Sequence, residues 1–393
     1  MSPSSRRTWA RVVLTVALAL LAVTDSATQV RSTPLGLQLK KLDGILRADV
    51  DRQSSGVRRV IVRVRPGERS ALRRLMAAQG ESVLAEHPSV DALTAIVPAE
   101  DLEWLAQQGS VLSVSADAVV RPHGQILGLL KTVTDTVGGL AAGTVGTLLD
   151  TVGSIIDPGM DEGGEPVTPA VLRATLGLSG NWTGAGVGVA VIDSGLEMSS
   201  EFSGRVTAFY DFTNGRTAAV AAFDDYGHGT HVAGTIAGSG ALSFRREHRG
   251  LAPAVDLVVL KVLDANGSGY TSDVIRAVDF AVANRDRFGI DIINLSLGHP
   301  IYEPASTDPL VQAVERASRA GIVVIAAAGT LGTNPTTGLP GYAGITSPGN
   351  APSAITVGAL ATSNTVARDD DRIPDYSSAG PTWYDALVKP DLL

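Results

Sequence analysis

The amino-acid sequence predicts an α/β fold with a doubly wound, mostly parallel sheet, preceded by a small α+β domain. Two observations carry this prediction. In the second half of the chain, short apolar runs alternate with helical stretches, and such runs suit strands buried on both faces of a parallel sheet. In the first half, strands with alternating apolar and polar residues occur in the order βαββαβ, which is typical of a ferredoxin-like domain.

The composition describes a globular chain without the features of a nucleic-acid-binding protein. Its 393 residues are 44% hydrophobic and 18% charged, with a formal net charge of −8 and no cysteine. Disulfides and thiolate chemistry are therefore excluded, and without a basic stripe we expect no nucleic-acid partner. The charge is uneven, because residues 1–122 carry 16 Lys and Arg against 12 Asp and Glu, whereas the remainder is acidic.

Residues 1–27 have the pattern of an export signal. Arg6, Arg7 and Arg11 precede an apolar run at 12–23, and small residues follow near Ala27. A single-span anchor is the alternative, although the run is short for a bilayer. We expect a secreted or cell-envelope protein without a stable membrane anchor after signal removal, in which residues 28–58 form an N-terminal extension.

Residues 59–122 are predicted to form the ferredoxin-like domain. Apolar and charged residues alternate at its start as they do in a half-buried strand, and leucines then follow at helical spacing up to a glycine. In order, its elements are a strand at 59–66, a helix at 67–80, strands at 82–84 and 92–97, a helix at 99–109 and a strand at 111–120.

A change of composition separates this domain from the α/β region. Residues 123–166 are rich in Gly, Thr, Val and Leu, which favours a flexible, cleavable linker, with an amphipathic helix as the alternative. The α/β region follows at residue 167. Its predicted strands are 186–192, 255–262, 290–297, 322–328 and 354–359, and its predicted helices are 228–237, 271–284 and 308–320.

Two motifs place an acid and a base where parallel sheets carry functional groups. VGVAVIDSG brings Asp193 to the carboxyl end of a buried strand, although a helix cap or a turn aspartate is the alternative. GHGTHVAG begins a helix with His228, whose imidazole titrates near neutral pH and suits proton transfer. His231 is interpreted as a buried structural histidine, and a metal pair with His228 is the less favoured alternative because no third ligand is evident.

These motifs, taken in order, resemble the subtilisin-like serine proteases. IDSG and GHGTHVAG are followed by INLSLG at 293–298, AAAGT at 326–330, SPGNAPSAITVGA at 347–359 and KPDL at 389–392. The resemblance covers residues 167–393 and implies a peptidase domain that hydrolyses peptide bonds. The domain at 59–122 resembles, less specifically, the inhibitory propeptide of that family.

The resemblance implies a role for each matching residue. Asp193 would orient His228, and His228 would take a proton from a serine hydroxyl. A polypeptide substrate would lie as a strand between two edges. These edges are Gly267, Ser268 and Gly269 on one side, and Leu295, Ser296, Leu297 and Gly298 on the other.

The resemblance also implies partners and cofactors. The chain's own propeptide would act as intramolecular inhibitor or chaperone, and no cofactor is required for the chemistry. Structural calcium is possible, and Asp224 and Asp225 are acidic, but the metal ligands stay unknown at this point.

Two departures from the family pattern bear on activity. Thr330 stands where the family usually has an asparagine that helps to bind the oxyanion, and its hydroxyl is shorter. No serine in the expected setting is identifiable up to Leu393, so we expect a chain cut short before its nucleophile. The alternatives are a catalytically dead peptide-binding pseudoprotease and a non-functional fragment.

Overall fold

The computed structural model describes residues 39–123, 169–178, 180–333 and 339–393, without the side chain of residue 214. The predicted signal segment and nearly all of the predicted linker lie outside these residues. Among the helices in the described ranges, none has the length and apolar character needed to cross a membrane.

The upstream domain contains four strands, which are β1 (Val57–Val64), β2 (Ser82–His87), β3 (Ala92–Pro98) and β4 (Val111–Ala116). They form an antiparallel sheet with the order β2-β3-β1-β4. Its helices are α1 (Gly44–Asp51), α2 (Arg69–Gln79) and α3 (Leu102–Gln107). From β1 to β4 the elements follow the expected order βαββαβ.

The hydrophobic core of this domain begins upstream of residue 59. Leu42 and Leu46 are buried in the same cluster as the strand and helix residues of the domain. Asp43 caps α1 by accepting from the backbone N–H of Leu46 at 2.8 Å, and it also accepts from the N–H of Ala116 at the end of β4. The capping aspartate therefore joins α1, part of the expected N-terminal extension, to the sheet of the upstream domain.

Strand β1 shows why the upstream domain packs on the rest of the chain. Its valines, such as Val60 and Val62, lie in the domain's own core, whereas Ile61 belongs to the core of the α/β region. Because side chains alternate between the two faces of a strand, Arg59 and Arg63 lie on the face of Ile61. Both arginines contact the α/β region through hydrogen bonds.

The predicted single strand at 111–120 is wrong, because it consists of two strands in different sheets. Strand β4 ends at Ala116, and β5 (Val119–Pro122) pairs with the α/β region. Between them, Asp117 accepts from the backbone N–H of Ser272 at 2.7 Å and the carbonyl of Ala118 accepts from Thr271. These bonds turn the chain away from its own sheet.

The α/β region is built on a sheet of seven strands, which are β6 (Gly188–Asp193), β7 (Val206–Asp211), β8 (Ala218–Ala219), β9 (Asp256–Lys261), β11 (Ile292–Leu295), β13 (Val323–Ala327) and β15 (Ile355–Val357). Their order is β15-β13-β11-β6-β9-β7-β8, and every pair is parallel except β7 with β8. Its helices are α4 (Pro169–Thr175), α5 (His228–Ala237), α6 (Thr271–Ala283), α7 (Arg285–Phe288) and α8 (Pro309–Arg319).

Helices cover both faces of this sheet. Residues of α6 and α8 share one core cluster with β6, β9, β11 and β13, and α5 packs on the opposite face. This is the doubly wound, mostly parallel arrangement that the apolar runs predict. It places the carboxyl ends of β6, β11 and β13 along one edge of the sheet.

A third sheet joins the two domains. It contains β10 (Gly269–Tyr270), β12 (Leu297–Pro300) and β14 (Thr346–Ser347), and its order is β10-β5-β12-β14 with antiparallel pairing throughout. The last strand of the upstream domain therefore lies between two strands of the α/β region, next to the carboxyl end of β6.

Candidate active site

A buried carboxylate and an imidazole meet at the carboxyl end of β6. Asp193 is fully buried, and His228, the first residue of α5, is 8% exposed. The Nδ1 atom of His228 lies 2.7 Å from Oδ1 of Asp193. The same oxygen accepts from the backbone N–H of Ser194 at 2.7 Å. Such a carboxylate fixes the ring orientation and holds a proton on Nδ1.

Glycines at the two predicted motifs allow this approach. A Cβ atom on Gly229 would overlap the backbone of Gly195, and a Cβ atom on Gly195 would overlap the carbonyl of Phe223. Gly195 also has a φ of 127°, which favours glycine. The turn after β6 can therefore touch the first turn of α5.

Asp224 fastens the same two segments, and its role was not predicted. Its carboxylate accepts from the backbone N–H groups of Gly227 and Thr230, at 2.8 and 2.9 Å, at the N-terminus of α5. It also accepts from Ser194 Oγ, which in turn accepts from the N–H of Gly229. Burial raises the pKa of Asp224, but these hydrogen bonds outweigh it and lower the pKa overall. An aspartate shortly before a helix is the capping signal that could have revealed it.

The acidic residues considered for calcium do not fit a calcium site. Asp224 is committed to the start of α5, and Asp225 lies 2.6 Å from the buried ammonium of Lys261. Across the described ranges, no group of three or more His, Asp or Glu side chains is arranged to hold a metal ion. The interpretation of His231 as a buried structural histidine is wrong, since that residue is exposed on α5.

The surroundings of His228 favour its protonated form. Burial lowers the pKa of His228, but the hydrogen bond and charge of Asp193 raise it, and the net direction is upward. The second ring nitrogen, Nε2, lies 3.2 Å from the backbone oxygen of His123. Both nitrogens therefore face acceptors, and an imidazolium can donate to both.

Strand β5 occupies the groove between the two edges expected to bind substrate. Val120 pairs with Gly269, and Pro122 pairs with Leu297. The N–H of His123 donates to the carbonyl of Ser296 at 3.0 Å. The remaining expected edge residues lie in the same two segments: Gly267 and Ser268 in the turn before β10, Leu295 at the end of β11, and Gly298 opposite Arg121.

Thr330 lies just beyond β13, which is two strands away from β6. Ser378 holds this segment on both sides of Thr330. It donates its N–H to the carbonyl of Gly329 at 3.1 Å, and its Oγ accepts from the N–H of Leu331 at 2.9 Å. The structure thus brings Asp193 and His228 together and places Thr330 on the same edge of the sheet.

Comparisons with known proteins agree with this architecture. The chain is similar to the serine protease AprX of Bacillus subtilis, with 44% identity over 216 residues that make up 54% of this chain and 46% of AprX. It is 40% identical to subtilisin E of Bacillus subtilis over 202 residues, which are 51% of this chain and 46% of subtilisin E. The chain thus spans about half the length of these curated relatives.

A solved structure resembles the fold over a larger share of the chain. Fervidolysin from Fervidobacterium pennivorans, a keratinolytic enzyme related to subtilisin, aligns with a TM-score of 0.55 and 18% identity over 85% of this chain and 49% of its own. At that identity the likeness concerns the fold alone. Residues 184–393 match the Peptidase_S8 model, described as the Subtilase family. The chain belongs to the subtilase family.

Proposed function

We propose that this chain is the precursor of an exported serine endopeptidase in which Asp193 and His228 are the acid and base of a catalytic triad. The observation that carries the proposal is the 2.7 Å contact between these side chains, with the backbone carbonyl oxygen of His123 3.2 Å from Nε2 of the imidazole. A serine hydroxyl presented to Nε2 would give its proton to that nitrogen as its oxygen adds to such a carbonyl, and Asp193 would stabilise the imidazolium. The imidazolium would then protonate the leaving amine as the peptide C–N bond breaks, and water would hydrolyse the resulting ester.

Substrate binding by strand addition is the second part of the proposal. The edges at 267–269 and 295–298 offer backbone hydrogen bonds to an extended polypeptide, whatever its side chains. Strand β5 already uses both edges in antiparallel register. We infer that a polypeptide substrate lies where β5 lies, and that residues near Thr330 face the developing oxyanion.

The upstream domain is proposed to be an inhibitory propeptide that also assists folding. Helix α6 has no capping side chain of its own, and Asp117 of the upstream domain accepts from its Ser272 N–H and Oγ, at 2.7 and 2.8 Å. Arg59 in turn lies 2.5 Å from Asp117. The domain thus fills the groove and completes a helix of the peptidase domain.

Activity and labelling of a secreted product test the proposed reaction. The polypeptide encoded by the complete reading frame around this chain is expressed with its own signal segment. We expect cleavage of fluorogenic peptides by the secreted fraction and labelling by a fluorophosphonate, which reacts with activated serines. His228→Ala should abolish both, whereas His231→Ala, an exposed position on the same helix, should retain both. Equal activity in the two variants would contradict the proposal.

A peptide-binding pseudoprotease is the second candidate, because Thr330 replaces the expected asparagine. That protein would bind an extended peptide without cutting it. Retention of an intact peptide by the secreted polypeptide, with no fluorophosphonate labelling, would favour this candidate over the first.

A further inference from the structure

The side chain of His123 lies in a small pocket beside the candidate catalytic pair, Asp193 and His228. Its Nε2 atom lies 3.1 Å from Oγ1 of Thr346, which is 3% exposed. The wall next to the ring is Gly298, where an added Cβ atom would lie 2.8 Å from the same nitrogen. The pocket therefore depends on the absence of a side chain at position 298 and on the hydroxyl at position 346.

The hydrogen bonds at Thr346 determine whether the pocket favours a hydrogen-bond donor or an acceptor. Its hydroxyl also lies 3.3 Å from the carbonyl of Ala328, which can only accept. When the hydroxyl donates to that carbonyl, its lone pair faces Nε2 of His123. In that arrangement the pocket favours a side chain that places an N–H donor at this position.

The charges around the pocket disfavour a positively charged side chain. Burial lowers the pKa of His123 to about 4, and the charges of His228 and His299 act in the same direction. A lysine or arginine in the pocket would be repelled by the imidazolium of His228, whose pKa is raised. A neutral imidazole satisfies both conditions, because it carries one N–H and no charge.

The position of His123 along the groove indicates which substrate residue would occupy the pocket. Its N–H donates to Ser296, and its carbonyl faces His228, which is the position of the residue that supplies the attacked carbonyl. We propose that Thr346 is a specificity-determining residue, selecting a neutral side chain with an N–H donor, histidine in this chain, directly before the cleaved bond. This inference rests on the proposed endopeptidase function and names its substrate class.

Matched peptides test the selection. The processed enzyme is given Val-Arg-Pro-X peptides with a fluorogenic leaving group, where X is His, Gln, Phe or Lys. Phe is the matched control for His, since it has a ring without a donor. We expect His and Gln to exceed Phe and Lys in kcat/KM. Thr346→Val keeps the shape and removes the hydroxyl, and it should reduce kcat/KM for His about 5- to 10-fold while changing Phe less than twofold.

Acidity supplies a second readout on the same peptides. Free histidine takes up a proton near pH 6.5, whereas glutamine does not titrate. The ratio of kcat/KM for His to that for Gln should therefore fall as the pH drops below about 6.5. A Thr346→Val variant that lowers His and Phe equally, or leaves their ratio unchanged, would overturn the inference.

A stability measurement keeps the inference separate from the endopeptidase proposal. If no peptide is cleaved, that proposal fails, but the contact between His123 and Thr346 can still be judged in the full chain carrying His228→Ala. His123→Phe and Thr346→Val should each lower the unfolding midpoint by about 2–4 °C, and the double variant should lower it no further than the larger single effect. Additive shifts would mean that the two side chains do not interact, and would overturn the inference.

Discussion

At the scale of single residues, the arrangement at β6 depends on one carboxylate oxygen that is already engaged. Oδ1 of Asp193 holds both the N–H of Ser194 and Nδ1 of His228. Replacing the carboxylate by an amide removes the charge and allows the ring to take the wrong tautomer. We predict that Asp193→Asn lowers kcat by about 10⁴-fold with a native far-UV circular dichroism spectrum. A loss below 10-fold would argue against the assigned role.

If His228 is the proposed base, its raised pKa should set the pH dependence of activity. The imidazole must be neutral to accept a proton, so kcat/KM should rise with pH through a pKa above 6.5, the ordinary value. Removing the charge of Asp193 should move this midpoint downward. For stability the sign is opposite, since the contribution of the imidazolium is complete below 6.5 and is lost as the pH rises through the raised pKa. A pH-rate profile of wild type and Asp193→Asn checks the first statement.

Thr330 gives a prediction in the direction of improvement. Its hydroxyl is one atom shorter than the asparagine amide of the family pattern, and one oxyanion donor typically contributes 10²–10³-fold in rate. We predict that Thr330→Asn raises kcat by at least 10-fold, measured on the processed enzyme with a fluorogenic peptide. Thr333→Asn, three residues further on, is the matched control. Unchanged kcat in Thr330→Asn would place the oxyanion donor elsewhere.

At the scale of elements, β5 and α6 show how one domain completes another. The buried carboxylate of Asp117 accepts from Ser272 at the N-terminus of α6, where the helix dipole favours negative charge. We predict that Asp117→Ala destabilises the precursor by about 2 kcal/mol, measured by urea unfolding of the His228→Ala chain. Glu100→Ala, an exposed acidic position in the same domain, should change stability by less than about 0.5 kcal/mol.

The elements that the sequence predicts well are those whose apolar pattern reflects burial against the rest of the same domain. Helix α5 has the predicted bounds, α6 ends one residue earlier than predicted, and α8 is one residue shorter than predicted at each end. Strand β7 was missed because it lies near the sheet edge, where only alternate residues are buried. The break before β5 was missed because it depends on hydrogen bonds from α6, more than 150 residues away along the chain.

The same reasoning separates the parts of the candidate site. Asp193 and His228 follow strand and helix signals that are local, so sequence alone placed them. Asp224 and Thr346 act through partners that the fold supplies from other segments. An aspartate shortly before a helix is a capping signal but is also compatible with a calcium ligand, and a threonine in a short strand carries no local signal of a specificity site.

At the scale of the whole molecule, buried acids from both domains meet at the domain interface. Glu303 of the α/β region shares a small cavity with Asp43 and Ser115 of the upstream domain, and with its own neighbours Asp308 and His299. Burial, followed by the charge of Asp308, raises the pKa of Glu303 to about 8. A protonated Glu303 is therefore part of the closed interface.

The raised pKa of Glu303 predicts that the folded precursor becomes less stable as the pH rises. The folded pKa lies above the ordinary value of 4.5, so the stability from protonated Glu303 is complete below 4.5 and is lost as the pH rises through about 8. We predict that the unfolding midpoint of the His228→Ala precursor falls across this window, and that Glu303→Gln flattens the fall. Glu247→Gln, on an exposed loop, should leave the slope unchanged. Equal slopes in wild type and Glu303→Gln would contradict the account.

The most direct test of the whole account is the position of the self-cleavage that it predicts. The carbonyl of His123 lies at Nε2 of His228, so the account predicts cleavage between His123 and Gly124. Intact-mass analysis of the expressed precursor should find an upstream fragment ending at His123 in wild type and in His231→Ala, and none in His228→Ala. A first cut at another bond, or the same fragment in His228→Ala, would contradict the assignment of this site.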